Sequence, residues 1–542
     1  MSSQNLVSVY RREPTPQEAA DASVQIAKSV EEIGALQEKI NDLQSHMRRL
    51  QQQQFHHYAD VKLHRGVITL ARRIPSELLA YIFELSVDSG WTRAPVIVSH
   101  VCSQWRLAAQ DPRVWSRVYV NLDDSNTAGR TTYWLRMAAS APLHITIVAS
   151  SRVRRRQVLD IMALLSEYAD QWSTLTVDSE ALLNIQAVTA SCSLEKNLPH
   201  LRHISVISTG AVHNEEEDSS MALAQIFTPE RVPELRSLSM DLLVLPATTS
   251  MPMQLRSLVL TFAESQPGMA HTLMHALNEL PHLEKLSLSL PLHLDTLFEL
   301  DPDQAMRINN LKSLTIFGPT DLNGILYHIQ APSLLQLHLR SLEDLGYRQT
   351  PVGPSLHAFL QGSTAVKLLE LYDIDLSPEY FASCFALLSN LEELRLHESS
   401  VSAATLKLLY GWSAGGGGAP LNHPAAYLRL CPKLTKLDLR WCGLLAGHAL
   451  VNLVRSRLPT AQIPGSVEMV ASPITDITAI NCCFIEERHI IELAKMTVCR
   501  VVINDTDYCY QRKCCDNLRY RQRLRFRHFN LPEHRVGLNL IL

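Results

Sequence analysis

The stretch 391–397, LEELRLH, decides the fold. Leu394 and Leu396 alternate with charged residues, so they share one face of an extended strand, while Leu391 stands three residues earlier as the strand begins. The same LxxLxL spacing recurs at Leu201/Ile204/Val206, Leu235/Leu238/Met240, Leu255/Leu258/Leu260, Leu283/Leu286/Leu288, Leu311/Leu314/Ile316, Leu334/Leu337/Leu339, Val366/Leu369/Leu371 and Leu434/Leu437/Leu439. Weaker copies are Trp172/Leu175/Val177 before them and Val498/Val501/Ile503 after. The intervals are irregular, yet most leave room for a return helix. Met269 to Leu280 and Pro378 to Leu388 carry the three-and-four apolar spacing of such helices. One strand alone would expose its apolar face, and stacked neighbours bury it, so the expectation is an α/β fold with one curved leucine-rich-repeat solenoid over residues 140–510. The acidic run Glu215 to Asp218 and the glycine run Gly415 to Gly418 fall between copies and read as loop insertions.

The bulk properties narrow the function classes. A chain of 542 residues with 46% hydrophobic content is long enough for several folding units. Its 50 basic and 54 acidic residues give a net charge of -4, which offers no global field for nucleic acid or an anionic membrane. Neither a signal-peptide pattern nor an 18-residue apolar run is present, so a cytoplasmic or nuclear location is expected, with no membrane contact. The cysteine count is odd, at 11, and no CxxC pair occurs, which suits reduced thiols.

Ahead of the repeats, residues 1–20 are expected to be disordered and residues 21–58 to form a coiled-coil helix. Ile26, Ile33, Ile40 and Met47 occupy one heptad position and Leu36, Leu43 and Leu50 the other. The flanking Glu32, Lys39, Gln37 and Gln44 make no obvious complementary set. Self-association as a homodimer and folding back onto the chain's own body are both open.

Between the helix and the repeats, residues 70–120 change character. Ile74, Pro75, Ser76, Glu77, Leu78, Leu79, Ile82 and Phe83 predict a short amphipathic helix opened by a proline. Val98, Val101, Cys102, Trp105 and Ala109 predict a second helix, and Asp111 with Pro112 opens a third that bears Val114, Trp115 and Val118. Three short helices make a small core and leave large apolar side chains for a second surface.

The order IPSELLAYIFELS, then VSHVCSQWRLAAQDPRVWSRVYV, resembles an F-box. With a coiled coil before it and degenerate leucine-rich repeats after it, the layout is similar to that of a large group of fungal F-box proteins. The resemblance implies docking on a Skp-type adaptor, and through it on cullin and RING subunits. Carried over by position, Ile74, Pro75, Leu78, Leu79, Ile82 and Phe83 would face the adaptor, and Trp105 and Trp115 would hold the helices together with some exposure to it. Two departures stand out: Ile74 in place of a leucine, and a loop from Val87 to Pro95 that carries Trp91.

The implied function is the substrate-recognition subunit of an SCF-type (Skp-cullin-F-box) E3 ubiquitin ligase, with a protein substrate held by the repeats. The alternative is a ligase-independent leucine-rich-repeat scaffold or protein-binding module. Within the repeats, residues beside the inward leucines project from the concave face. They turn large or charged late in the array, at Arg340, Tyr372, Glu393, Arg395, His397, Lys436, Asp438 and Arg440, with Trp441 next to them, so the substrate is expected there.

Catalytic patterns fare poorly. Gly411 to Gly415 match GxSxG, but a glycine run and Pro420 follow Ser413 where a nucleophile elbow needs a helix. Cys482, Cys483, Cys499, Cys509, Cys514, Cys515 and His489 lack the tight ligand pairs of structural zinc sites, so neither a metal nor a cofactor is expected. In the basic C-terminal segment 511–542, Arg519, Arg521, Arg523, Arg525 and Arg527 alternate along a strand pattern. A charge-guarded edge is the expectation there and nucleic-acid contact the alternative.

Overall fold

The computed structural model describes residues 13–68, 73–193, 197–208, 227–242, 251–262, 269–289, 306–318, 322–341, 351–410, 430–458, 471–482, 484–503 and 538–541. The acidic and glycine runs, Ser413, Cys483, Cys509, Cys514, Cys515 and the arginines from Arg519 to Arg527 lie outside these. So do residues 1–12 of the segment expected to be disordered. Two compact units are present, Met1–Leu85 with Val96–Ala109, and Ser86–Pro95 with Gln110–Leu542.

The first unit opens with α1 (Pro16–Ile68), a helix of 53 residues that overruns the expected 21–58 at both ends. Its start is set by a reciprocal cap. The Thr15 backbone N–H and hydroxyl both donate to Glu18 Oε2 at 2.9 Å, while the Glu18 N–H donates to Thr15 Oγ1 at 3.4 Å. With Pro16 in the first turn, this arrangement draws residues 16–20, expected to be disordered, into the helix. Every residue from 13 to 65 is exposed, including the whole heptad seam.

Three short helices follow, α2 (Ser76–Asp88), α3 (Ala94–Ser99) and α4 (Ser103–Ala108). The continuous second helix expected from Val98 to Ala109 is broken, because Cys102 is extended (φ -160°, ψ 172°) and starts a new helix by accepting from the Arg106 N–H at 2.9 Å. Arg106 Nε ties the break by donating to the Ser99 carbonyl at 2.9 Å. In this unit the core holds Leu79, Ala80, Phe83, Val98, Ala108 and Ala109. Phe83 meets Trp105 at 5.0 Å between ring centres, and the Gln104 amide donates to the Ile74 carbonyl at 3.1 Å.

In the second unit the segment expected as a third helix is one 3-10 turn, Pro112–Trp115, whose first-turn N–H of Arg113 is accepted by the Asp111 carboxylate at 3.0 Å. Val118 then lies in a strand. The strands are β1 (Arg117–Asn121), β2 (Leu143–Ala149), β3 (Trp172–Ser179), β4 (His203–Ser208), β5 (Ser237–Leu242), β6 (Ser257–Phe262), β7 (Lys285–Ser289), β8 (Met306–Arg307), β9 (Ser313–Gly318), β10 (Ile329–Gln330), β11 (Gln336–Ser341), β12 (Leu368–Tyr372), β13 (Glu393–His397), β14 (Lys436–Arg440), β15 (Asp476–Ile480), β16 (Val498–Ile503) and β17 (Leu538–Ile541). Fifteen of them form one sheet in chain order, while the two-residue strands β8 and β10 pair with each other. All neighbours in the large sheet are parallel except β17, which runs antiparallel to β16. The return segments include helices Met269–Asn278, Gly353–Gln361, Pro378–Leu387 and Gly447–Ser456.

The sheet therefore begins at Arg117 rather than near residue 140. Val118 and Val120 in β1, and Ile477 and Ala479 in β15, are buried with the right alternation but lack leucine, so the spacing that found their neighbours passed over them. In β16 the buried pair is Cys499 and Val501, with Val498 exposed, and Cys499 lies in register with Ile477, so this copy begins two residues earlier than Val498. Register keeps like with like. Leu314, Leu337, Leu369, Leu394, Leu437 and Ile477 are opposite one another in successive strands, and all are buried.

The strand ends repeat as strictly as the strands. Asp373, Glu398, Trp441 and Asn481 each follow a strand with φ of 53–56°, the left-handed region. Their N–H groups donate to the carbonyls of His397, Arg440, Ile480 and Val502 at 2.7–2.9 Å, so each bent corner is tied to the end of the next strand. The Cys442 and Cys482 thiols then donate back to the carbonyls of Leu396 and Leu439, at 3.3 and 3.5 Å.

Candidate functional site

Two surfaces stand out, one on each unit. On α2, Leu78, Tyr81, Ile82 and Leu85 are 44–54% exposed at the i, i+3, i+4, i+7 spacing of a single helix face. Leu79 and Phe83, at 2% exposure, lie on the opposite face and build the core. Ile97, Val101 and Leu107 of the same unit are exposed as well. The residues expected to face an adaptor therefore divide. Pro75, Leu78 and Ile82 are exposed, Ile74 and Trp105 are half-buried, and Leu79 and Phe83 point inward. Trp115 belongs to the other unit, buried against Trp134 and Tyr133 with ring centres 4.9 and 5.5 Å away.

Tyr81, Leu85, Val101 and Leu107 were not among the expected contacts. Their signal was in the sequence. A 13-residue helix with apolar residues around most of its circumference has one face more than its own core needs.

The second surface is the polar face of the sheet across β9 to β14. The Arg340 guanidinium lies 4.8 Å from the Phe317 ring centre and 4.2 Å from that of Tyr372. Tyr372 donates its hydroxyl to Glu398 Oε1 at 2.9 Å. Burial and the Glu398 carboxylate push the Tyr372 hydroxyl up to about 12, so it stays a donor. Glu370 contacts His338 at 3.0 Å and Arg395 at 3.3 Å, and Arg395 also reaches Glu393 at 2.6 Å. The Arg440 guanidinium forks onto both oxygens of Asp438 at 2.7 and 2.8 Å. His397 is sandwiched between acids, 3.9 Å from Glu370 and 3.6 Å from Asp438, beyond hydrogen-bond length at both.

The network has electrostatic consequences. The hydrogen bond from His338 is the largest of the effects holding the Glu370 carboxyl below its usual range, ahead of the opposing effect of burial. Burial would raise Asp438, but the contacts from His397 and Arg440 outweigh it and hold that carboxyl well below the usual range. Cations Arg340, Arg395, Lys436 and Arg440 stand among anions Glu370, Glu393, Glu398 and Asp438, so the face is balanced in charge. Trp441 lies one residue past β14, at the left-handed corner. His338, Glu370 and Phe317 join the expected residues by register, since each flanks an inward leucine or isoleucine in its strand.

Residues 71–121 match the F-box-like family model. The matched span runs from just before α2 through β1 and contains α2, α3, α4 and the 3-10 turn. No curated protein matches the chain by sequence. The F-box-like segment thus coincides with the helices that carry the exposed stripe Leu78, Tyr81, Ile82 and Leu85.

No arrangement for covalent or metal chemistry appears among the described residues. Cys192, Cys384 and Cys431 are buried, and burial pushes their thiols up to about 12, which suppresses the reactive thiolate. The described residues contain no cluster of three or more His, Cys, Asp or Glu placed to hold a metal ion. Nor is any described helix long and apolar enough to cross a membrane.

Proposed function

We propose that this chain is the substrate-recognition subunit of an SCF-type E3 ubiquitin ligase. The observation that carries the reading is the coincidence of the F-box-like match with the exposed stripe Leu78, Tyr81, Ile82 and Leu85. F-box domains bind Skp-type adaptors, and a small helical unit that keeps such a stripe in water is unfavourable unless a partner covers it. In this reading Pro75, Leu78 and Ile82 touch the adaptor, and Leu79, Phe83 and Trp105 hold α2 in place for it. Trp115 serves the sheet.

The second unit is read as a leucine-rich-repeat solenoid, an assignment supported by strands that follow chain order and pair in parallel. Its polar face over β9 to β14 receives a protein substrate, with Arg340 and Tyr372 as the anchors of highest value, because aromatic and arginine side chains carry interface energy. The balanced charge of that face suits a mixed polar surface better than an isolated phosphate. Arg395 and Arg440 are committed to Glu370, Glu393 and Asp438, so reversing their charge would disturb the strands themselves. Arg340 and Lys436 are cleaner probes. The receptor makes no bond with ubiquitin, and its contribution is proximity between the substrate and a charged E2 enzyme.

The test is co-expression of the full chain with a Skp-type adaptor, followed by recovery on a tag carried by this chain. A stoichiometric complex is expected. Folded protein recovered without adaptor would overturn the assignment and favour the ligase-independent scaffold.

A further inference from the structure

The seam of α1 runs from Ala19 to Leu50, and beyond it the next two heptad positions are Gln54 and His57. Its large members, Ile26, Ile33, Leu36, Ile40, Leu43, Met47 and Leu50, are 46–67% exposed. Isoleucine at one seam position and leucine at the other suits a two-stranded coiled coil. That combination serves a parallel pair as well, so the remaining positions must decide both the partner and its direction.

The small residues are not scattered. Ala19, Ala22 and Ser29 share the N-terminal seam with Ile26, whereas Ile40, Leu43, Met47 and Leu50 make the C-terminal part. In a parallel homodimer each layer pairs a residue with itself, which leaves Ala19, Ala22 and Ser29 layers underfilled. It also sets Glu32 against Gln37 and Lys39 against Gln44, with no opposite charges meeting. In an antiparallel homodimer centred between Gly34 and Ala35, Ala19 meets Leu50, Ala22 meets Met47, Ser29 meets Ile40, Ile26 meets Leu43, and Ile33 meets Leu36. Each small residue then faces a large one, and the two remaining layers pair isoleucine with leucine.

The same register sets Glu32 of each copy beside Lys39 of the other, twice by symmetry. Sliding it by one heptad brings Lys39 onto Lys39 in one direction and Glu32 onto Glu32 in the other. The centring that lays the apolar seam wholly on itself is therefore the one that pairs the flanking charges. We propose that α1 is an antiparallel two-stranded coiled coil whose partner is a second copy of this chain. Pairing through α1 involves no residue of the F-box-like segment and is independent of adaptor binding.

The experiment uses the full chain at micromolar concentration. Sedimentation equilibrium should report a dimer, and a monomer would overturn the proposal. Direction is read from cysteine variants under mild oxidation, with the linked peptides identified by mass spectrometry. Differently tagged Ala22→Cys and Met47→Cys chains, mixed, should give a link between positions 22 and 47. Met47→Cys alone should give no link between its own copies, since the two sites lie roughly 37 Å apart along the axis. A link joining position 47 to itself would mean a parallel pair and overturn the assignment. Lys39→Glu should raise the dimer Kd by about ten-fold, and Glu32→Lys combined with Lys39→Glu should restore it. Equal Kd values across that series would remove the charge argument.

Discussion

The Arg457 guanidinium is fully buried, and its hydrogen bonds go to main-chain carbonyls: Leu409 at 2.8 Å, Leu430 at 2.9 Å, Cys431 at 3.1 Å and Leu434 at 3.4 Å. Burial lowers it to about 10, so it remains charged at neutral pH. It gathers the end of one repeat and the start of the next. Arg457→Met would keep much of the volume but orphan those carbonyls, at a cost of roughly 3–5 kcal/mol in denaturant unfolding. A loss under about 1 kcal/mol would mean that water replaces the guanidinium there. Nothing in the sequence marks this residue, since an arginine near a helix end reads as surface. Asp438 makes a second residue-scale case. A carboxyl held below its unfolded range adds stability that is complete above the unfolded value of 3.8 and lost as pH falls through the folded one. Asp438→Asn should therefore lower unfolding stability at neutral pH and shrink the difference from wild type as the solution is acidified towards pH 2. A constant difference across that range would place the residue outside the linkage.

At the scale of elements, α2 carries two apolar stripes, one buried and one exposed. Phe83→Ala should cost about 3–5 kcal/mol, because it opens a cavity against Trp105. Tyr81→Ser, on the outer stripe, should leave the unfolding midpoint nearly unchanged. Both are read by thermal melting, and equal losses would mean that the outer stripe is packed. Periodicity in the sequence located this helix and its proline start, but it could not separate the two stripes, since either could have been the core. The break at Cys102 was also hidden. Val98, Val101 and Trp105 fit one helical period even though two helices form. Conversely, the LxxLxL copies were legible because their leucines meet both the period of a strand and the stacking of the sheet. β1 and β15 escaped because valine, isoleucine and alanine do the same work without the leucine signature.

For the whole molecule, the two candidate surfaces lie on separate units, and the long exposed helix α1 precedes both in the chain. The sheet was foreseeable from repetition alone. The left-handed corners at Asp373, Glu398, Trp441 and Asn481 were not, because four unlike side chains share one backbone geometry there. The candidate substrate face was half legible: the sequence marks Arg395, Asp438 and Arg440 as large and charged, but only the register shows that they neutralise one another. Adaptor docking is proposed for the outer stripe of α2. Its most direct measurement is the affinity of purified full-length chain for a purified Skp-type adaptor, by calorimetry, for wild type and for Leu78→Glu combined with Ile82→Glu. A loss of affinity of at least about a hundred-fold is expected, with an unchanged melting temperature. Undiminished affinity in a folded double variant would contradict it.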